Sequence, residues 1–287
     1  MFNYKYYYLS IIYKYKELVN DNIFYDIKNN PYKLIFINQQ IENYQEICKL
    51  AVGQNYYKVL QYVKEQFQTE EICELAVKNG NALQYVKEQF RTEKICKLAI
   101  RNKINELQYI KKQTEEICKL AVRLDFFALK YIKVQTENIC KLAVQKNGFT
   151  LQYVLPELIN EEICKLAVQQ NCWALQYVPP ELMNDEICKL AIQKDGYLLK
   201  YVPPEFMTAE ICKLAVQKNG YALQYVPPEF INEEICKLAV QKNGYALQYV
   251  SPKLMTYEIC KLAIQQNYDA LKYIKDIMIK EKILNLL

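Results

Sequence analysis

A chain of 287 residues that is 52% hydrophobic can bury a sizeable core, which excludes a wholly disordered polymer. It contains no histidine, so it lacks the usual near-neutral acid–base group and the commonest metal ligand. The formal charge of +5 is uneven: residues 1–133 hold 21 Lys and Arg against 15 Asp and Glu, residues 134–287 hold 16 against 17, and the basic excess is too dilute to mark a nucleic-acid site by itself.

The N-terminal stretch MFNYKYYYLSIIYKYKELV is interrupted by Lys5, Lys14 and Lys16 and has no small-residue cleavage site, so no signal peptide is expected. No run of 18 uncharged apolar residues occurs, so no membrane span is expected either. NNPYKLIFI at 29–37 echoes the later KNGYALQYV segments, and Ile23 stands near a decayed first helix. Residues 1–43 are therefore read as a degenerate N-terminal capping segment.

From residue 44 to 274 the dominant signal is repetition. Ile-Cys recurs at Cys48, Cys73, Cys96, Cys118, Cys140, Cys164, Cys188, Cys212, Cys236 and Cys260, with spacings of 25, 23, 22, 22 and then 24 throughout. Residues 211–226 and 235–250 are identical. In the unit 160–183, Asn160 is placed to cap a helix, and Glu161 and Glu162 fill its positive first turn. Ile163, Cys164, Leu166, Ala167 and Val168 then make a broad apolar face over 161–170. The Asn-Gly of sister units, as at Asn219-Gly220, reads as a left-handed helix terminator. A short second helix is predicted from Trp173 through Ala174, Tyr177 and Val178, stopped by Pro179-Pro180. Where earlier units carry KEQF, at 64–67 and 87–90, that second helix is expected to run longer. The units after Cys96 and Cys118 lose two residues beyond Ile110 and Ile132, in the loop between units.

Helices of ten residues are marginal alone, so each unit must bury its apolar face against its neighbours. The fold predicted is an all-α solenoid of about ten 24-residue two-helix repeats. A leucine-rich horseshoe with strands is the competing reading, because ICKLAVQKN at 211–219 also fits that pattern. The apolar Cys and Ala beside those positions and the Asn/Thr-Glu-Glu caps favour the helix. After Ile274 the sequence KDIMIKEKILNLL reads as a C-terminal capping helix over 275–287, carrying Ile277, Ile283 and Leu287. No linker divides the array.

Segments such as 160–182 and 232–250, with their acidic pair, apolar run, Lys-Asn-Gly and aromatic-Ala-Leu-Gln-Tyr, resemble a tandem helical repeat family catalogued as domain of unknown function 4116. The resemblance spans roughly residues 44–274. This chain departs from it in placing Cys where an aliphatic residue is common, and Pro-Pro-Glu-Leu in place of Ser-Glu-Glu-Leu. The family occurs in giant DNA viruses, protists and some bacteria, and the resemblance implies helices and a giant-virus origin. It transfers no catalytic residue and no activity.

Three ladders remain as candidate chemistry. The ten repeat cysteines read as small core hydrophobes in a reducing compartment, one solenoid step (about 9–10 Å) apart and so too far for disulfides. Cys172, at the Gly position of its unit, is expected to be more exposed. Tyr153, Tyr177, Tyr201, Tyr225, Tyr249 and Tyr273 read as core packing, with a stacking surface for single-stranded nucleic acid as the sharper alternative. Lys49, Lys97, Lys119, Lys141, Lys165, Lys189, Lys213, Lys237 and Lys261, broken at Glu74, read as a solvated helix face whose field the cap acids cancel, with a phosphate track as the alternative. There is no nucleophile elbow, phosphate-binding loop or ligand cluster, so no catalytic, cofactor-binding or metal residue is assigned and no cofactor is expected. The expected function is a non-enzymatic cytoplasmic scaffold for an unknown protein partner, a host factor in the host cytoplasm or virion if the origin is viral. The alternative is nucleic-acid binding through the basic N-terminal half.

Overall fold

The computed structural model describes residues 21–54 and 57–285. Lys5, Lys14, Lys16 and Leu287 lie outside the described residues, as does most of the N-terminal half of the capping segment. The chain forms two compact units, residues 1–134 and 135–287. Among the described residues there is no strand, so the horseshoe alternative falls away and the array is an all-α solenoid.

In the first unit, residues 21–29 are helical and a 3-10 helix follows at Pro31–Phe36. The repeats then contribute α1 (Tyr44–Gly53), α2 (Glu70–Asn79), α3 (Glu93–Asn102) and α4 (Glu115–Leu124). The second unit holds α5 (Glu137–Lys146), α6 (Glu161–Gln170), α7 (Asp185–Lys194), α8 (Ala209–Lys218), α9 (Glu233–Lys242), α10 (Tyr257–Gln266) and α11 (Ile277–Leu284). Each of α1 to α10 is ten residues long.

The starts of these helices are fixed by side chains. Thr69, Thr92, Thr114, Thr136, Asn160, Asn184, Thr208, Asn232 and Thr256 each accept a hydrogen bond from the backbone N–H of the Ile three residues on. Each cap contributes about 1 kcal/mol. Only α1, preceded by Asn43, makes no such bond.

The helix ends differ from the sequence expectation. No left-handed residue terminates them: Asn219 is extended, at φ −147° and ψ 111°. Its N–H completes α8 by donating to the Ala215 carbonyl at 2.9 Å, while its Oδ1 accepts from the Tyr221 N–H at 3.1 Å and starts the next element. Asp125, Asn147, Asn171, Asp195, Asn243 and Asn267 do the same. One residue thus ends one helix and begins another. The glycine after it serves packing. A Cβ on Gly220 would lie 2.3 Å from the Ala239 carbonyl oxygen of the next repeat, and on Gly148, Gly196 and Gly244 the equivalent distances are 2.2, 2.0 and 2.4 Å.

The second helix of each repeat is 3-10 in form. It runs for six residues in the 24-residue repeats, as in Gly220–Tyr225, and closes when the Val226 N–H bonds to the Leu223 carbonyl. A second, three-residue 3-10 turn follows at Pro180–Leu182, Pro204–Phe206 and Pro228–Phe230. KEQF does not prolong the preceding helix, contrary to expectation. Glu65–Phe67 and Glu88–Phe90 form the same separate turn as the prolines, after extended residues at Lys64 and Lys87. The two-residue deletions remove this turn altogether beyond Ile110 and Ile132, and the helices on either side persist.

Every repeat buries the same positions, save that Leu271 of the last is half-buried. From α8 these are Ile211, Cys212, Ala215 and Val216, and from its 3-10 partner Ala222, Leu223 and Val226, all 5% exposed or less. Within each unit the α-helices pack on their sequence neighbours, and 3-10 helices such as Gly220–Tyr225 and Gly244–Tyr249 lie against their own α-helix and the next. Such neighbour-only packing defines a solenoid.

Candidate functional site

Repetition places one copy of each side chain per step, so a functional surface here is a ladder. The lysines of the α-helices lie on the outer side, and acids from the next repeat meet them. Lys49 pairs with Glu71 at 2.5 Å, Lys141 with Glu162 at 2.7 Å, Lys189 with Glu210 at 3.4 Å and Lys213 with Glu234 at 2.5 Å; Lys165 pairs with Glu186. Lys97, Lys119 and Lys237 instead meet the first-turn acid of their own helix. These exposed pairs stabilise little each. Their consequence is electrical: the ladder lysines other than Lys261, which is exposed and makes no ion pair among the described residues, are matched locally and do not form an open basic track.

The repeat cysteines are unpaired thiols in the core, and burial pushes them up to about 11 at Cys164 and Cys212 and about 12 at Cys73 and Cys188. A thiol held that high is almost wholly protonated near neutrality and a poor nucleophile. Cys172 is half-exposed. Among the described residues no group of His, Cys, Asp or Glu converges as a metal site.

The first unit is distinguished by polar residues that tie consecutive repeats together. Gln113 donates through Nε2 to the Leu107 and Tyr131 carbonyls at 3.0 and 2.9 Å, and its Oε1 accepts from the Lys133 N–H at 2.8 Å. Gln68 reaches Leu60, Val63 and Tyr85 carbonyls in the same way, and Arg91 reaches those of Val86 and Tyr109. In most of the second unit this position is apolar, as at Met183, Met207 and Ile231. A further buried acid, Glu106, accepts from the Leu83 N–H at 2.7 Å, and its other oxygen is buried without a hydrogen-bond partner. Burial raises its pKa, opposed by that hydrogen bond and by Arg91.

The tyrosine ladder is not core. Tyr153, Tyr177, Tyr201, Tyr225, Tyr249 and Tyr273 are all half-buried, along the 3-10 side of the second unit. A second ladder accompanies them, missed because it was read only as part of each short helix: Phe149, Trp173, Tyr197, Tyr221 and Tyr245, nine residues beyond each repeat cysteine. Each ring of this second ladder meets the Tyr of the next repeat edge to face. The centroid distances run from 5.3 Å for Tyr197–Tyr225 to 6.5 Å for Trp173–Tyr201, with interplanar angles from 75° to 82°. The fixed 28-residue offset between partners was the signal that could have revealed it.

Polar groups are threaded through this ridge. Gln152, Gln176, Gln224 and Gln248 are exposed, and each donates to the carbonyl three residues before it at 3.0 Å. At the same position Lys200 lies over the rings of Tyr201, Tyr197 and Trp173 at 4.5, 4.8 and 5.4 Å. Lys272 lies over Tyr245 and Tyr273, both at 5.1 Å. The Tyr225 hydroxyl is pushed up to about 12, first by its hydrogen bond with Tyr197 and then by burial. The ridge therefore offers ring surface, amides and hydroxyls, with the half-exposed Cys172 thiol beside Trp173.

No helix among the described residues is long and apolar enough to cross a membrane. A family model described as a domain of unknown function (DUF4116) matches residues 46–91, 136–183, 160–207, 184–231 and 232–279, the three windows between 136 and 231 each overlapping the next by one 24-residue repeat. No curated protein and no solved structure matches the chain.

Proposed function

This chain belongs to the DUF4116 family, and from that premise we propose that it is a non-enzymatic repeat scaffold that binds a protein partner along the aromatic ridge of its second unit. The observation that carries this reading is a continuous run of half-exposed rings, repeated once per step and interleaved with exposed amides. Aromatic residues are the usual anchors of protein interfaces, since they supply large contact area at low entropic cost. Eleven unpaired cysteines suit a reducing compartment such as the cytoplasm.

The test is selection of a random peptide display library on the full chain, with a counter-screen on the double variant Tyr221→Ser, Tyr245→Ser. Circular dichroism of the variant checks that the helices persist. Peptides retained by the natural chain and lost on the variant are expected. A library that yields no binders, or binders indifferent to the variant, contradicts the reading. The nucleic-acid alternative draws no support from the paired ladder lysines, because each of these meets an acid across or within repeats. A mobility-shift assay without complex at low ionic strength sets that alternative aside.

A further inference from the structure

We infer that the ridge of the second unit recognises an extended, cation-bearing peptide segment whose Lys or Arg side chains seat between the rings of successive repeats. This rests on the scaffold reading and specifies its partner. The chain itself displays the contact. Lys200 occupies the notch formed by Trp173, Tyr197 and Tyr201, and Lys272 lies over Tyr245 and Tyr273 three repeats further on. A cation over an aromatic face is attracted by the ring quadrupole, the more so where water is partly excluded.

In the two repeats between them the same position holds Gln224 and Gln248, whose amides turn back onto their own backbone. No described lysine or arginine lies over the rings of Tyr221 or Tyr249. These notches repeat the edge-to-face ring pair of the lysine-filled one, Tyr197–Tyr225 and Tyr221–Tyr249 after Trp173–Tyr201, and a partner's cation completes them.

Charge complements the rings. Glu181, Glu205 and Glu229 stand in the proline turns, exposed and free of ion pairs, whereas Glu162, Glu210 and Glu234 of the α-helices are matched by lysines. One hollow in the last repeats is lined jointly by Gln248, Pro252, Lys272 and Tyr273, so the proline turn of one repeat borders the ring notch of the next. The turn in that hollow carries Lys253; by repetition the turns that carry Glu205 and Glu229 border the notches of Gln224 and Gln248, where a partner's cation would meet a carboxylate. The register also fits. Three residues of extended chain span about 10 Å, close to the roughly 8–10 Å step between packed helices, so one cation in every three residues meets one notch per repeat.

The test is fluorescence anisotropy on the full chain with two labelled peptides, one repeating Arg-Ser-Ser and the other Glu-Ser-Ser. The arginine peptide is expected to bind and the glutamate peptide not. Filling the notches from within, by Gln224→Lys with Gln248→Lys, is expected to weaken binding about tenfold, a difference of about 1.4 kcal/mol. The same added charge on the exposed face of the α-helices, by Gln217→Lys with Gln241→Lys, is expected to leave binding unchanged. Equal loss in both double variants means bulk charge alone, and no loss in the ridge variant places the contact elsewhere; either overturns the inference. So does preferential binding of the glutamate peptide or of a single-stranded oligonucleotide. The library selection separates this from the broader reading: ridge-dependent peptides without an excess of Lys and Arg sink the cation-bearing partner and leave the scaffold standing.

Discussion

Glu106 stands where neighbouring repeats carry Ala128, Ala174 or Ala222, and a one-residue deletion accounts for it. The 23-residue repeat after Cys73 has too short a segment to form the full six-residue 3-10 helix, which begins only at Leu83. The buried Leu83 N–H then needs an acceptor, and Glu106 of the next repeat supplies it. Glu106→Ala is expected to destabilise the first unit by about 1–3 kcal/mol through that orphaned donor. Glu106→Gln keeps an acceptor and removes a buried charge, so it is expected to stabilise at neutral pH. The sign with pH follows from the raised folded pKa. The folded state binds the proton more readily than the unfolded, so stability from this group is greatest below the ordinary carboxylate range and falls as pH rises through the raised value. Urea denaturation across pH checks it, and the slope should disappear in Glu106→Gln. Gly220 makes a second expectation at this scale. Gly220→Ala drives a Cβ toward the Ala239 carbonyl and is expected to cost about 1–3 kcal/mol in overpacking, whereas Gly53→Ala, with open space around it, is expected to be neutral or stabilising by less than about 1 kcal/mol. Thermal denaturation of the two single variants reads the contrast.

At the scale of elements, what was legible in the sequence was what local hydrogen bonding decides. The caps at Thr69 through Thr256 stand at a constant offset from the cysteines, and the bond each makes is to a backbone group three residues away. The second helix was harder, because a shift from i+4 to i+3 bonding is settled by packing against the next repeat and leaves no residue type behind. Asn-Gly was misread for a related reason: the same dipeptide suits a left-handed stop and a close approach, and only the Ala239 carbonyl tells them apart. KEQF has good helix formers, yet Gln68 needs the Val63 and Leu60 carbonyls, which a continuous helix would use internally. Those polar ties matter most where the loops are shortest. Gln113→Ala is expected to cost about 1–3 kcal/mol, since it removes three hydrogen bonds and leaves the Tyr131 carbonyl and the Lys133 N–H without that partner, while the Leu107 carbonyl keeps the Ile110 N–H. Chemical denaturation of that variant against Gln152→Ala, whose side chain is exposed, measures the difference.

At the scale of the molecule, the period foretold the ladders and left their exposure open. The tyrosines could be counted from the sequence, but whether they faced core or solvent depended on how a six-residue 3-10 helix turns its sides, which periodicity does not reveal. Cysteine and lysine were easier, being fixed to α-helix faces by the 3.6-residue turn. Repeat stacking explains the most regular chemistry in the chain, the ten buried cysteines at one helical position, while the half-buried Cys172 stands apart. Thiol labelling of the folded chain at neutral pH, followed by mass spectrometry of the sites, tests this most directly. Cys172 is expected to react first and alone, with the other ten following only on unfolding. Uniform fast labelling of Cys48 through Cys260 would contradict the buried ladder and the solenoid built around it.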